Sequence, residues 1–490
     1  MRKKKENVSV LACARKIPAT AANQFPDNVS RPFWSLKDSA SPLDDFFDCY
    51  VAFKEMGFDE YFWDWRGRKI DEQLVKKLMT SYKGFFNSNE IGKEHFVTFR
   101  VDASHKVEDL GRLYMSIIST NDFAKSQKVF SPPLFEVVHS TSSAKDLFHF
   151  ANLYNESVAI ANDKLKHDCG PKTISLLPTH QFGEGNWYSQ IHNYLSRVQS
   201  SFRCKLDYFR PVIPRSSLAD RVGFVSSVLA TKRALSNYRS FSKITGTDAF
   251  PVLEAGPLMF RGGISPEAVD NFLLTYAGAR TVTITPSFRY GYALEDVKSA
   301  ISKLNRILPK SIASGYTHDD LGKMLSIENI FTKHYRATMS KFPALSLPVQ
   351  LKVSKLNRVP KSLENSFSLY SLGIPPEFIG TGRAILECVK EGYIKDLEIF
   401  YPTIKQELLV AGALLNKENL GFLGKSSPVW KDVLTDVNLV QDYVSSELGP
   451  DSSESFMHRN HTSNVFHMMS AGKDCSKDLL AAAALRHSLG

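Results

Sequence analysis

Apolar and polar positions between residues 247 and 304 follow the pattern of a β-α-β unit. Two apolar segments, PVLEAG and RTVTITPSF, are rich in β-branched residues and bounded by Gly or Pro, so we predict a strand in each. The segment between them, ISPEAVDNFLLTYAG, begins with a Ser N-cap followed by Pro and ends at Gly278, which predicts a helix. Apolar residues at helical spacing predict a second helix from Ala293 to Leu304.

The same alternation of strand-like and helix-like segments extends through most of the chain. Strands are predicted in HFVTFRV, PLFEVVHS, KTISLLP, FRPVIPRSS and ALSLPVQLKV. Helices are predicted in PLDDFFDCYVAFKEMGF, from 142 to 166, in NWYSQIHNYLSRVQSSF and in ADRVGFVSSVLATKRALSNYRSF. Strands that recur with room for one helix between them are typical of a β/α barrel. We therefore predict an α/β fold, a TIM-type (β/α)8 barrel with additional helices mostly in the C-terminal part.

Three arginines follow predicted strands at their carboxyl ends, where a parallel α/β fold binds its ligand. They are Arg100, Arg215 and Arg261, and the last stands beside Gly262 and Gly263, whose backbone can approach a ligand closely. A guanidinium group can form two parallel hydrogen bonds with a phosphate. The pattern therefore indicates an anion site, although surface arginines or arginines paired with loop carboxylates would show the same pattern.

Four motifs, in order along residues 15 to 490, resemble the archaeal-type phosphoenolpyruvate carboxylase family. RKIPATAANQFPDN resembles the family's opening RKIP…STQHPDN, and Arg-Gly after one strand is followed by aromatic-Arg-Tyr after the next. SLYSLGIPPEFIGTGRA resembles the family segment SLYSIGIPPE, and the final LRHSLG is close to the family's RRSLG. The chain is identified as a member of this family on these motifs.

The resemblance implies a reaction in which phosphoenolpyruvate and bicarbonate give oxaloacetate and phosphate, with Mg²⁺ as cofactor. It also implies a cytoplasmic homo-oligomer, by family analogy a homotetramer. Arg100, Arg215 and Arg261 would be the catalytic residues. Further residues expected to bind the substrate are Arg15, Gly262, Gly263, Arg289 and Arg486.

Three positions depart from the family pattern. The family's catalytic His is replaced by Phe25, its metal-binding Glu by Pro178 and its metal-binding Asp by Ser217. Mg²⁺ depends on carboxylate oxygens, so binding in the family manner is not expected here. Residues that could provide substitute ligands at strand ends are Glu136, His139, His180 and Asp220. The sequence His458-Arg459-Asn460-His461 has neither the spacing nor the Glu of a metal motif, and we interpret it as a polar loop.

Three functions remain open at this point. The chain could be a working phosphoenolpyruvate carboxylase, a catalytically degenerate homologue that serves as an anion-binding or regulatory subunit, or a different enzyme that acts on another phosphorylated acid. A shared barrel cannot distinguish among these functions, because one fold supports many activities.

The composition bears on which partners the protein could bind and on the cellular compartment that it fits. The formal net charge is +10 and the pI about 9.1, but the basic residues are scattered, so we expect no binding to nucleic acid. No apolar run reaches the length of a membrane span, and the six cysteines show no C-x-x-C spacing, which fits a reducing cytosol. Residues 1–14 are expected to be a disordered basic extension before a single domain at 15–490.

Overall fold

The structure is a computed structural model, and it describes part of the 490-residue chain. The described residues are 16–24, 32–35, 42–64, 73–101, 107–129, 131–164, 171, 174–182, 187–202, 206, 208–342 and 366–489. The predicted extension at 1–14 and the predicted strand ALSLPVQLKV lie outside these ranges. Arg15, a predicted substrate-binding residue, and Phe25, which replaces the family's catalytic His, also lie outside them.

Within the described ranges the chain forms ten β-strands. They are β1 Thr20–Asn23, β2 Glu60–Asp64, β3 Phe96–Val101, β4 Glu136–His139, β5 Ser175–Pro178, β6 Tyr208–Phe209, β7 Val212–Ile213, β8 Asp248–Ala249, β9 Val252–Glu254 and β10 Thr281–Ile284.

The same ranges contain twenty α-helices. They are α1 Pro42–Lys54, α2 Leu74–Ser81, α3 Lys83–Phe86, α4 Val107–Ser126, α5 Ala144–Asp163, α6 Trp187–Phe202, α7 Arg215–Val222, α8 Phe224–Thr245, α9 Val269–Thr275, α10 Pro286–Gly291, α11 Leu294–Ile307, α12 His318–Met339, α13 Ser366–Ser371, α14 Thr381–Lys390, α15 Ile394–Phe400, α16 Ile404–Gly412, α17 Lys417–Ser426, α18 Pro428–Val444, α19 Ser453–Ser470 and α20 Ser476–Leu485.

Eight of the strands form a parallel barrel. Their order in the sheet is β5-β4-β3-β2-β1-β10-β9-β7. A parallel bridge between Thr179 and Val212 joins the two outer strands, and the His180 N–H donates to the Val212 carbonyl at 2.7 Å across this seam. The prediction of a (β/α)8 barrel with additional helices is confirmed.

A proline divides one of the predicted strands, and a second proline stands just before another. Pro211 separates β6 from β7, and Pro251 separates β8 from β9, because a proline has no N–H to donate to a neighbouring strand. The short strands β6 and β8 pair with each other as a small separate sheet. The segment FRPVIPRSS is therefore two short strands followed by a helix rather than one continuous strand.

The barrel has an apolar layer inside and a larger apolar shell outside. Residues from six strands fill the interior at one level: Ala21, Phe62, Val138, Leu177, Val212 and Val252. Their neighbours in sequence, such as Tyr61, Val137 and Leu253, face outward and join the core shared with the helices. Successive strand residues point to opposite faces, so these two sets fix which side chains can reach the barrel interior.

An arginine with two carboxylates lies in the interior beneath that layer, at the amino ends of the strands. Arg210 has no exposed surface, and its Nη1 lies 2.9 Å from Glu60 Oε1 and 2.6 Å from Glu136 Oε2. Its Nη2 lies 2.6 Å from Glu60 Oε2 and donates to Thr281 at 3.1 Å. Burial alone would lower the pKa of Arg210, but the two carboxylates hold it above its ordinary value.

The structure corrects three details of the predicted elements. β1 and β2, which were not among the predicted strands, precede Phe96–Val101, so the strand in HFVTFRV is the third barrel strand. The long helix predicted from residue 219 is divided into α7 and α8 at Gly223, which has φ of 85° and lies against the Tyr335 ring. The residues 458–461 belong to α19 and are not a loop.

In the described part of the chain, none of the helices combines the length and hydropathy that a membrane span would require.

Candidate active site

The mouth of the barrel, at the carboxyl ends of its strands, contains an ion pair that spans the interior. Arg100 of β3 and Glu254 of β9 contact each other, and four strand-to-strand steps separate β3 from β9 in either direction around the barrel. Arg100 is in register with Val138 of the interior layer, and Glu254 lies two residues after Val252 of that layer. Both side chains therefore point inward and meet above the apolar layer.

A tight turn follows β9 and presents Arg261 at the same face. The Gly256 N–H donates to the Arg261 carbonyl at 2.9 Å, which closes the turn. Gly262 has φ of 125°, and a Cβ there would lie 2.7 Å from the Ala255 side chain, so this position requires glycine. The Arg261 guanidinium donates to the Ser216 carbonyl at 2.9 Å and to Asp220 at 2.5 Å.

Arg215 supports this turn from within the protein. It is fully buried, its Nε donates to Tyr276 at 2.9 Å, and its Nη1 donates to the Phe260 carbonyl at 2.9 Å. A weaker contact of 3.4 Å joins its Nη2 to the Met259 carbonyl. Arg100 and Arg215 thus contact residues 254–263, the segment that contains Arg261. Arg215 holds the turn in place, whereas Arg100 and Arg261 are the two partly exposed guanidinium groups.

A buried carboxyl group, Glu377, holds the same turn from the C-terminal helical region. Its Oε1 accepts the Phe260 N–H at 2.8 Å and also accepts a hydrogen bond from Tyr370. Burial raises the pKa of Glu377 to about 7, and these hydrogen bonds, together with the Arg215 charge, oppose that increase. Glu377 belongs to the motif SLYSLGIPPE, so the structure connects that motif directly to the turn that carries Arg261.

The four residues proposed as substitute metal ligands do not lie together at the mouth. Glu136 is the first residue of β4, at the opposite end of the barrel, and it is bonded to Arg210. His139 faces outward against the Phe150 ring of α5, with ring centroids 5.0 Å apart. Glu136 is far from the mouth because it begins the strand, and His139 faces outward because successive strand residues point to opposite faces.

The other two substitutes also have structural partners. The His180 Nδ1 lies 2.9 Å from the Tyr238 hydroxyl of α8, and burial lowers the pKa of His180 to about 4. Asp220 is paired with Arg261. The structure therefore does not bring together the possible substitute ligands Glu136, His139, His180 and Asp220. Among the described residues, no three or more His, Cys, Asp or Glu side chains are grouped as a metal site would require.

Pro178 and Ser217, which stand where the family has metal ligands, lie on β5 and α7. Pro178 pairs with His139 and follows Leu177 of the interior layer, so its side chain faces the helices. Ser217 lies in the first turn of α7, where its Oγ donates to the Pro214 carbonyl at 3.3 Å. Neither residue provides a carboxylate, and a carboxylate at 178 would point away from the mouth. The residues present do not fit a magnesium site of the family type.

Two predicted substrate-binding arginines lie elsewhere. Arg289 is fully buried, donates to Asp48 at 2.8 Å and to the Asn23 carbonyl at 2.7 Å, and anchors α10 to α1 and β1. The Arg289 guanidinium is enclosed by protein groups in this arrangement, and substrate binding by Arg289 stays a prediction. Asp48 also accepts a hydrogen bond from Tyr290.

Arg486 lines a separate cavity of about 810 Å³ behind the turn. Met259, Glu377 and His458 are also in its wall. The Arg486 Nη2 donates to Ser371 at 3.3 Å, while its Nε and Nη1 have no hydrogen-bond partner within the described ranges. Burial, with the Arg486 charge as a second cause, lowers the pKa of His458 to about 3, so this imidazole is neutral at physiological pH.

Two residues at the site were not singled out in the sequence, Glu254 and Glu377. Glu254 could have been noticed as an acid at the last position of the apolar segment PVLEAG, which is the same reasoning that identified Arg100. Its pairing with Arg100 could not be inferred, because the two strands are far apart in sequence and opposite each other in the barrel. For Glu377 the sequence offered its place in the motif SLYSLGIPPE, which does not show that its carboxyl group contacts the Arg261 turn.

The site lies at the carboxyl ends of the strands of a parallel β/α barrel, the face at which barrels of this class bind their ligands. The family model described as phosphoenolpyruvate carboxylase matches residues 17–346 and 349–490. The chain therefore belongs to the phosphoenolpyruvate carboxylase family, which confirms the resemblance of its motifs.

Individual relatives extend over most of the chain. The phosphoenolpyruvate carboxylase of Leuconostoc mesenteroides is 26% identical over 504 aligned residues, covering 97% of this chain and 100% of its own length. That of Metallosphaera sedula is 28% identical, covering 91% and 93%, and that of Methanothermobacter thermautotrophicus is 25% identical, covering 82% and 88%. A solved structure of Haloferax volcanii malate synthase in a magnesium and glyoxylate complex covers 79% of this chain and 99% of its own, with 11% identity and a TM-score of 0.35.

Proposed function

We propose that the protein binds phosphoenolpyruvate at the mouth of the barrel. The observation that carries this proposal is the position of two partly exposed guanidinium groups around the end of β9. Arg100 contacts Glu254, the last residue of β9. Arg261 lies against Gly256, two residues further along the chain, because a Cβ placed on Gly256 would be 3.1 Å from the Arg261 Cβ. A phosphate with two negative charges is a better partner for two arginines than a single carboxylate is.

The family supports carboxylation of phosphoenolpyruvate by bicarbonate, which gives oxaloacetate and phosphate, as the first reaction to test. Arg100 and Arg261 would orient the phosphate, and Arg215 and Glu377 would hold the turn that carries Arg261. Purified protein, phosphoenolpyruvate, bicarbonate and either magnesium or manganese would be combined, and oxaloacetate would be measured by a coupled reductase. Turnover that is abolished by a chelator would establish the family activity.

A second candidate is binding of the same ligand without turnover. It is favoured by three replacements. Phe25 stands where the family has its catalytic His, and Pro178 and Ser217 stand where the family has metal-binding carboxylates. General acid-base catalysis contributes about 10² to 10⁴ in rate, and the metal ligands act as a unit with it, so even one loss can be nearly disabling. Calorimetric titration of phosphoenolpyruvate in metal-free buffer separates the two candidates: binding without oxaloacetate formation supports this second one.

A further inference from the structure

The ion pair of Arg100 and Glu254 crosses the mouth and joins two strands on opposite sides of the barrel. Among the described residues, it is the only ionic contact of this kind. Their side chains are 13% and 14% exposed. The apolar layer that contains Phe62, Val138 and Val252 lies directly below them. A ligand that binds Arg100 from the mouth would therefore lie next to the Glu254 carboxylate.

The pair uses little of the hydrogen-bonding capacity of its members. The contact joins Arg100 Nη1 to Glu254 Oε1, but its angle is not that of a hydrogen bond, and Oε1 has no aligned donor among the described residues. Arg100 Nε likewise has no acceptor in those ranges. A partly buried ion pair without aligned hydrogen bonds gains little beyond its charge attraction, and a ligand with more acceptor oxygens can replace it.

We propose that Glu254 sets the affinity and the charge selectivity of the mouth by holding Arg100 across the barrel until a phosphorylated acid displaces it. This inference rests on the proposed function, since it concerns the same anion site. Glu254 neutralises one guanidinium in the unliganded protein. A monocarboxylate would merely replace one carboxylate with another, whereas a phosphate dianion offers more charge and more acceptor oxygens.

The test compares Glu254→Gln with the parent protein in calorimetric titrations of phosphoenolpyruvate, inorganic phosphate and acetate, in metal-free buffer. We expect Glu254→Gln to bind phosphoenolpyruvate and phosphate at least about fivefold more tightly. We also expect the preference for phosphate over acetate to decrease, because acetate no longer competes with an internal carboxylate. In the background of Arg100→Gln, the Glu254→Gln change should have no effect on binding.

Two further variants separate the effect of the Glu254 position from the effects of net charge and of side-chain length. Glu295→Gln removes the same charge from an exposed pair with Lys298 on α11, outside the mouth, so it controls for net charge alone. Glu254→Asp retains the charge but shortens the side chain, and it should bind phosphate with intermediate affinity. Thermal unfolding of each variant verifies that it is folded.

Unchanged or weaker binding in Glu254→Gln would overturn the inference, and so would an equal increase in Glu295→Gln. If the parent protein binds phosphoenolpyruvate in that case, the proposed function stands while the role of Glu254 fails. If neither the parent nor Glu254→Gln binds any of the three anions, both fail. Binding that is detected only in Glu254→Gln contradicts phosphoenolpyruvate binding by the natural protein and, with it, the displacement of Glu254 by a phosphorylated acid.

Discussion

The two ends of the barrel interior both contain an arginine that faces carboxylates, but they are built differently. At the base, Arg210 is completely buried, and both of its terminal nitrogens form two hydrogen bonds each with Glu60, Glu136 and Thr281. At the mouth, Arg100 has one ionic contact with Glu254, and both side chains are partly exposed. The same charges therefore serve stability where water is excluded and remain exchangeable where a ligand can enter.

The largest expected effect is at the base. Arg210→Met leaves two carboxylates buried without their cation, which should decrease the free energy of unfolding by about 3–5 kcal/mol. Urea denaturation would measure this decrease, with Arg100→Met as the matched control at the mouth, where both side chains are partly exposed and we expect a smaller decrease. Equal losses in the two variants would show that the two ends do not differ in the way proposed.

The second effect concerns the proton on Glu377, which holds the mouth turn. Its folded pKa of about 7 lies above the ordinary value of 4.5, so its contribution to stability is complete below pH 4.5 and is lost as the pH rises toward 7. Between pH 4.5 and 8 the parent should therefore lose about 3 kcal/mol relative to Glu377→Gln. Urea denaturation at several pH values measures the difference, and parallel curves for the two proteins would contradict it.

The third effect concerns the mouth of the barrel, where a change in arginine should alter the affinity for phosphoenolpyruvate. Arg261→Ala removes a charged hydrogen-bond partner, so phosphoenolpyruvate should bind more weakly by about 1.5–3 kcal/mol, and salt should weaken binding to the parent. Calorimetric titration measures both effects, and Arg306→Ala on the exposed side of α11 is the charge-matched control. Equal losses in both variants would indicate scattered surface attraction instead of a site.

The smallest effect should follow from Asp220→Asn, which removes the carboxylate partner of Arg261. The Asp220 side chain is 29% exposed, so solvent screens the pair and the free energy of unfolding should decrease by less than about 1 kcal/mol. Chemical denaturation measures this change. A loss comparable with that of Arg210→Met would mean that the mouth is as rigidly built as the base.

The elements of the barrel were largely predictable, whereas the pairing of its charges was not. β3, β4, β5, β9 and β10 all lie within predicted strands, because buried strands have apolar, β-branched sequences bounded by Gly or Pro. β2 was missed, since its sequence EYFWD precedes a polar stretch and looks like part of a turn.

The chemistry of the site shows the same limit. The positions of Arg100 and Arg261 at strand ends could be predicted from local sequence. Their partners Glu254 and Asp220 could not, because each contact depends on how distant segments close into a barrel. His139 and Pro178 were expected at the mouth. In the structure both point outward from their strands and pack against the helices, and the sequence pattern does not show this direction.

The seam between β5 and β7 joins the two ends of the sheet through very little backbone. One parallel bridge, Thr179 with Val212, and the His180 N–H to Val212 bond close the circle there, whereas β2 and β3 are joined along five residue pairs. Local opening begins where backbone bonds are few, so amide hydrogens beside this seam should exchange with solvent faster than those between β2 and β3. Because β7 leads directly into α7 and Arg215, transient separation of this seam would also displace the support of the Arg261 turn.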